Sequence, residues 1–391
     1  MKRFIVLSLL FIGINGGLMA QDSIFANASG QYKGMAKLLP DGRFPRSFVQ
    51  KNQTLVTSGA EWWCSGFYPG SLLYIYEQTK DRELLAEAQR MLKLLEPEQF
   101  DKTTHDLGFM MFCSFGNYDR LMPSAENKKI LLNSAKSLAS RFDPKVGCIR
   151  SWNSGAKDYI VIIDNMMNLE LLFWATRETG DSSYYQIAVK HADNTIKNHF
   201  RADYSSYHLI NYDPQTGAVK EKKTAQGYAD ESAWARGQAW GLYGYTVMYR
   251  ETKDEKYLFQ AEKISEFILN HKNLPQDGIA YWDFNAPDIP NAFRDASAAA
   301  VMASAWIELS GYVKGKNAKR LLNKAKLILK TLAKYEYTAT NGANGGFLLK
   351  HSVGYLPQQY TEVDQPLTYA DYYYLEAVLR LKQMEDGIRK F

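Results

Sequence analysis

Residues Val161–Asp181, VIIDNMMNLELLFWATRETGD, carry the two features from which the architecture follows. The first part, through Ala175, is an apolar run whose charges are Asp164 and Glu170, and it reads as a helix buried on most sides. The second part, Arg177-Glu178-Thr179-Gly180-Asp181, is a short turn ending in an acid, an N-cap signal for a following helix. The same junction recurs as Glu77-Gln78-Thr79-Lys80-Asp81 and as Arg250-Glu251-Thr252-Lys253-Asp254. Each time an apolar, small-residue-rich segment precedes it and a Lys- and Glu-rich amphipathic segment follows.

That alternation extends along the chain. Apolar helices are expected over Gly66–Glu77, Leu107–Tyr118, Val161–Thr176, Ala233–Tyr249, Ala296–Leu309 and Tyr369–Lys382. Amphipathic helices are expected over Arg82–Leu95, Ser124–Arg141, Ser182–His199, Glu255–His271 and Asn317–Lys334. A short helix over Gln31–Leu39 completes twelve. Imperfect helical hairpins of this kind stack into a solenoid or close into a ring. An open solenoid needs polar capping units at its ends, whereas the last segment here is apolar and aromatic. The reading is therefore an all-α (α/α)6 barrel, closed by pairing the N-terminal helix with the last one. Long loops with β-like pieces, such as Tyr207–Tyr212 and Gly278–Phe284, join the hairpins and are the expected place for function.

Composition is that of an ordinary globular chain, with 46% hydrophobic and 23% charged residues among 391. Aromatic residues reach 14%, with 26 Tyr and 8 Trp, which suits either an aromatic core or stacking on sugar faces. Met1–Ala20 reads as a signal peptide: Lys2 and Arg3, an apolar stretch over Phe4–Ile14, then small residues before a cut near Ala20. Residues 21–391 are then one exported, periplasmic domain, with no later run of about 18 apolar residues to span a membrane. Loss of Lys2 and Arg3 takes the formal charge from +5 to +3. That is too small an excess to point to nucleic acid, and it is compatible with an anionic small substrate. Cys64, Cys113 and Cys148 form no metal-site spacing and the six His no HExxH, so neither metal nor other cofactor is expected. The chain is expected to act as a monomer or weak oligomer.

Five acids, Asp106, Asp164, Asp230, Asp295 and Asp371, fall at or near the beginnings of apolar helices, all on one rim of the barrel. Any of them could simply cap its helix, contributing about 0.5–2 kcal/mol. Asp164 differs in its apolar flanks, Val161-Ile162-Ile163 and Met166-Met167, which should raise the pKa of a carboxyl group. Asp106 has His105 and Gly108 for neighbours, so a paired-carboxylate acid/base site is one possibility. In QGYADESAWARGQAWG, Gln226–Gly241, the spacing puts Trp234 with Gln238 and Arg236 with Trp240 on shared helix faces. Arg236 offers a planar fork for a carboxylate and Trp234 a stacking surface; the structural alternative is a core Trp and a salt-bridged Arg. Trp62, Trp63 and the lone His208 add aromatics and an imidazole.

At these residues the sequence resembles the unsaturated glucuronyl hydrolases, family 88 of the glycoside hydrolases. The resemblance covers nearly the whole mature chain and rests on HDLGF at His105–Phe109, DNMMNL at Asp164–Leu169 and the Gln226–Gly241 stretch. YWDF at Tyr281–Phe284, RDASAAA at Arg294–Ala300 and TYADYYYLEAVLR at Thr368–Arg380 extend it. Ala225 departs from the pattern, since relatives often carry His there.

The resemblance implies an (α/α)6 barrel and a substrate that is an oligosaccharide ending in a 4,5-unsaturated uronic acid, left by a polysaccharide lyase. It implies hydration of the vinyl ether rather than direct displacement at the glycosidic carbon. By match, Asp164 is the general acid/base and Asp106 the second acid. Arg236 and Gln226 match positions near the uronate carboxylate and reactive ring, Trp63 and Trp234 stacking walls, and His105 and His208 polar ligands of the sugar. The loop Lys350–Gln365 is expected at the neighbouring subsite. Unsaturated rhamnogalacturonyl hydrolases of family 105 share the barrel and similar chemistry, a sugar 2-epimerase would need catalytic His at helix ends, and a non-catalytic helical scaffold would need no buried acids.

Overall fold

The structure, a computed structural model, describes residues 16–357 and 361–388. The segment read as a signal peptide lies outside the described residues up to position 15. Among the described residues twelve α-helices follow one another: α1 Gly16–Leu38, α2 Phe67–Thr79, α3 Arg82–Leu95, α4 Asn117–Leu121, α5 Ala125–Ala139, α6 Leu169–Thr179, α7 Ser182–His199, α8 Ala235–Thr252, α9 Glu255–Asn270, α10 Ala296–Leu309, α11 Gly315–Leu332 and α12 Thr368–Glu385.

Even-numbered helices form the inner ring. Every residue of α10 is buried, as are Thr368–Leu381 of α12, because both faces of an inner helix meet other helices. Odd-numbered helices wrap them and bury one stripe; α3 buries Leu84, Leu85, Ala88, Met91, Leu92 and Leu95 at helical spacing. The ring closes because α12 packs on both α10 and α2, with α1 lying outside α2 and α12. This is the expected (α/α)6 barrel.

The junction motif builds the same turn three times. Thr79, Thr179 and Thr252 each donate a hydroxyl proton to the carbonyl four residues back and accept the backbone N–H of the Asp two residues on. Between them Lys80, Gly180 and Lys253 take the left-handed conformation, with φ of 58°, 74° and 56°. Asp81, Asp181 and Asp254 then cap the outer helices through Glu83 N, Ser183 N and Lys256 N.

Several elements differ from expectation. The helix expected over Gln31–Leu39 is the last third of the longer α1, which ends at Leu38. Val161–Thr176 is not one helix: Tyr159–Ile162 is a strand, Ile163–Asn168 a 3₁₀ turn, and α6 starts at Leu169. The β-branched run Ile160-Val161-Ile162 favours extended backbone and pairs with Leu209–Tyr212. The helix expected over Leu107–Tyr118 is a π-helical segment, Gly108–Gly116, running into α4. It passes so close to α2 that a Cβ on Gly66 would lie 2.1 Å from the Met110 carbonyl oxygen. Gly278–Phe284 forms only isolated bridges, Tyr281 to Arg294 and Asp283 to Trp234.

The strands all lie in loops before inner helices. They are β1 (Phe44–Val49) with β2 (Thr54–Ser58), β3 (Phe142–Asp143) with β4 (Cys148–Ile149), β5 (Tyr159–Ile162) with β6 (Leu209–Tyr212) and β7 (Val219–Lys223), and the hairpin β8 (Ser352–Tyr355) with β9 (Thr361–Gln365). The three cysteines are free thiols. Among the described residues no helix is long and apolar enough to cross a membrane.

Candidate active site

Loops ending at the N-termini of the inner helices converge on a cavity of about 320 Å³. Trp63 reaches it from before α2, His105 and Asp106 from before the π segment, Asp164 from the turn before α6, Gln226 and Arg236 from around the start of α8, and Tyr369 from the first turn of α12. The five helix-start acids thereby separate. Asp106 and Asp164 line the cavity. Asp295 caps α10 through Ser297 N and Ala298 N. Asp371 staples the preceding loop, accepting from Leu348 N, Leu349 N and the Tyr32 hydroxyl. Asp230 is exposed, five residues before α8, and its carboxylate accepts from Thr224 N.

Asp164 occupies the first turn of the 3₁₀ segment without acting as a cap, and its Oδ2 has no hydrogen-bond partner. Burial is the main force pushing its carboxyl up to about 7; the charge of Asp106 pushes the same way, while Arg236 pulls it back. Burial also lifts Asp106 to about 7, against the opposing hydrogen bond from the Thr104 hydroxyl at 3.1 Å and the Arg141 charge. Two carboxyl groups that titrate near neutrality in one cavity can hold and release a proton.

His105 is buried, its Nε2 3.4 Å from Asp106 Oδ2. Burial holds both His105 and His208 at about 3, so both are neutral. His208 and Trp234, expected against the sugar, do not line the cavity: Trp234 is 3% exposed and packs on His208 with ring centroids 4.7 Å apart. Arg236 is also not a free fork. Its Nη1 donates to Asp295 Oδ2 and the Val353 carbonyl, and its Nη2 to Gln226 Oε1 at 3.0 Å and the Gly354 carbonyl at 2.8 Å. It faces the cavity as a brace that orients Gln226 and ties the β8–β9 hairpin to α8.

Of the other lining residues, Gly354, Tyr355 and Glu362 belong to the loop Lys350–Gln365 expected at the neighbouring subsite, whereas Arg46 and Trp152 carried no signal in the sequence. Arg46, on β1, pairs with Glu362 of β9 at 2.9 Å and lies 4.3 Å above the Trp62 ring. Its partners are 316 and 16 positions away, so no local pattern announces it. Tyr355 and Gly354 bring the late hairpin to the cavity wall, and Trp152 enters from the loop before β5. Asn168 explains the Gly of HDLGF: its Oδ1 accepts from Phe109 N at 2.9 Å, and a Cβ on Gly108 would lie 2.4 Å from its Cα. Among the described residues no three His, Cys, Asp or Glu side chains gather as metal ligands.

A second cavity, about 370 Å³, lies toward the other ends of the inner helices, among Tyr74, Glu170, Arg250, Glu376 and Arg380. Its charges satisfy one another: Arg250 pairs with Glu170, Glu251 and Glu308, and Arg380 with Glu308 and Glu376. It holds the barrel together and offers no pair of acids like Asp106 and Asp164.

No protein-family model matches the chain. It is 46% identical over 344 residues to an unsaturated glucuronyl hydrolase of Formosa agariphila, covering 87% of this chain and 85% of that one. It is 34% identical over 344 residues to an unsaturated chondroitin disaccharide hydrolase of Streptococcus pyogenes, covering 86% and 85%. Among solved structures, an unsaturated glucuronyl hydrolase specific for heparin superposes with a TM-score of 0.91 at 46% identity, covering 94% and 98%. The unsaturated glucuronyl hydrolase of Streptococcus agalactiae does so at 0.87 and 28%, covering 97% and 98%. Shared fold, near-complete coverage and this level of identity make the conclusion direct: the chain belongs to the unsaturated glucuronyl hydrolases.

Proposed function

We propose that this protein removes the 4,5-unsaturated uronic acid from the non-reducing end of oligosaccharides made by glycosaminoglycan lyases. Asp164 acts first as acid: its proton goes to C4 of the vinyl ether and the developing cation at C5 takes up water. The resulting hemiketal opens, and collapse to a keto acid expels the aglycone with its oxygen. The proton lost by water returns to the Asp164 carboxylate, so the site ends as it began. Asp106 holds the substrate and keeps Asp164 protonated near neutrality, Gln226 braced by Arg236 faces the reacting ring, and Trp63 forms a wall. The observation that carries this reading is Asp164 itself, a buried carboxyl with an unpartnered oxygen, raised to about 7 beside a second acid.

Hydration destroys a conjugated double bond, so turnover is read as loss of the near-ultraviolet band of a lyase-made disaccharide. Asp164→Asn should lower the rate by about 10²–10⁴ while leaving the fold and substrate binding intact; near-wild-type turnover would sink the assignment. Heparin and chondroitin appear in the names of the relatives, and side-by-side rates on unsaturated heparin, chondroitin, hyaluronan and alginate products decide the parent polymer.

The basic and apolar start of the chain further supports export to the periplasm with cleavage near Ala20. The mass of the protein recovered from the periplasm should then begin at Gln21, inside the span of α1.

A further inference from the structure

We infer that His208 is a positioning residue for Asp164, fixed in the Nε2–H tautomer and donating that proton to Asp164 Oδ2, rather than a ligand of the sugar. The inference rests on the reading of Asp164 as the acid. His208 Nδ1 accepts the backbone N–H of Ala225 at 2.9 Å and that of Gln226 at 3.3 Å. A ring nitrogen that accepts carries the lone pair, so in the neutral ring the proton sits on Nε2. The ring is neutral because burial and the nearby Arg236, His199 and His105 all disfavour its cation.

Nε2 lies 3.7 Å from Asp164 Oδ2, and neither atom has another hydrogen-bond partner. A buried donor and a buried acceptor that face each other unpaired are costly apart. Closing the gap to about 3.0 Å makes an ordinary N–H to carboxylate bond. Trp234, with ring centroids 4.7 Å away, and Trp152, edge-on at 6.0 Å, pack the imidazole so that it stays aimed at the acid. His208 does not line the cavity, so its N–H reaches the carboxyl more directly than any sugar.

The chemical consequence follows from where the charge appears. Asp164 becomes a carboxylate once its proton has moved to C4, and an N–H on Oδ2 stabilises that state. The groups facing Asp164 then divide: Asp106 disfavours the carboxylate, while Arg236, the Trp240 indole and His208 favour it. The same ring, through Nδ1, holds the backbone that presents Gln226.

Asn and Gln separate the two halves of the ring, since Asn can keep the Nδ1 acceptor and Gln the Nε2 donor. In the full-length protein, the pH profile of kcat/KM is measured for wild type, His208→Asn and His208→Gln by absorbance loss. His208→Asn should move the basic limb upward by about one pH unit, because the Asp164 proton is then held more tightly. His208→Gln should leave the limb in place and raise KM as the Gln226 segment loosens. A His208→Asn profile superimposed on wild type, or equal shifts in both variants, overturns the proposal. If His208→Asn does not fold, ¹⁵N spectra of histidine-labelled wild type decide: a protonated Nε2 and bare Nδ1 from pH 5 to 8 support it, and a protonated Nδ1 overturns it. Asp164→Asn run alongside keeps the readings distinct, because turnover by that variant removes the acid assignment whatever the tautomer.

Discussion

Asp106 and His208 act on Asp164 with opposite sign. The Asp106 charge raises the Asp164 carboxyl and the His208 N–H lowers it. Asp164 donates only while protonated, so activity should fall as pH rises through about 7. Asp106→Asn removes the neighbouring charge, and the basic limb should move to lower pH by as much as about one unit, against the upward shift expected for His208→Asn. The profile of kcat/KM measures both on one axis. Asp164 was legible as unusual from its apolar flanks. That it, rather than Asp230, Asp295 or Asp371, meets Asp106 was not, because all five acids fall at or near the beginnings of apolar helices and differ in what lies across the barrel.

Three outer helices, α3, α7 and α9, owe their starting points to the three-residue device of Thr, a left-handed residue and Asp. Its bonds reach no more than four residues along the chain, which is why α3 and α7 begin where their patterns say they should. Asp181→Ala removes the bond to Ser183 N at the start of α7 and should cost about 1 kcal/mol, read as a lowered Tm with unchanged activity. The segments feeding the cavity behave differently. Ile160–Ile162 becomes strand because Leu209–Ile210 and Asn211 lie beside it, and Gly108–Gly116 widens to a π-helix where it meets α2 and the Asn168 turn. Gly108→Ala would force Asn168 aside and displace the turn that carries Asp164. A loss of about 10²-fold in kcat, with a Tm lowered by a few degrees as the backbone clash costs about 1–3 kcal/mol, is the expected outcome.

At the scale of the whole molecule, the barrel buries Asp106, Asp164 and Asp371, each raised to about 7 from the ordinary 3.8. A carboxyl held higher in the folded than in the unfolded chain contributes stability that is fully present below the unfolded value and is lost as pH rises through the folded one. Stability should therefore fall between about pH 4 and 7 from these groups. Asp164→Asn removes one of them, so its Tm should exceed that of wild type by a few degrees above pH 7, with the gap closing toward pH 4; thermal unfolding across that range checks it. The sequence by itself determined the helix alternation, the caps and the closed ring, because periodicity and capping depend on neighbours within a turn or two. Only the tertiary structure decided which acids meet, that Arg236 is a brace, that His208 and Trp234 stand behind the cavity wall, and that Arg46 and Glu362 join it. Those pairings link residues tens to hundreds of positions apart, and their burial and charge exist only once the ring has closed.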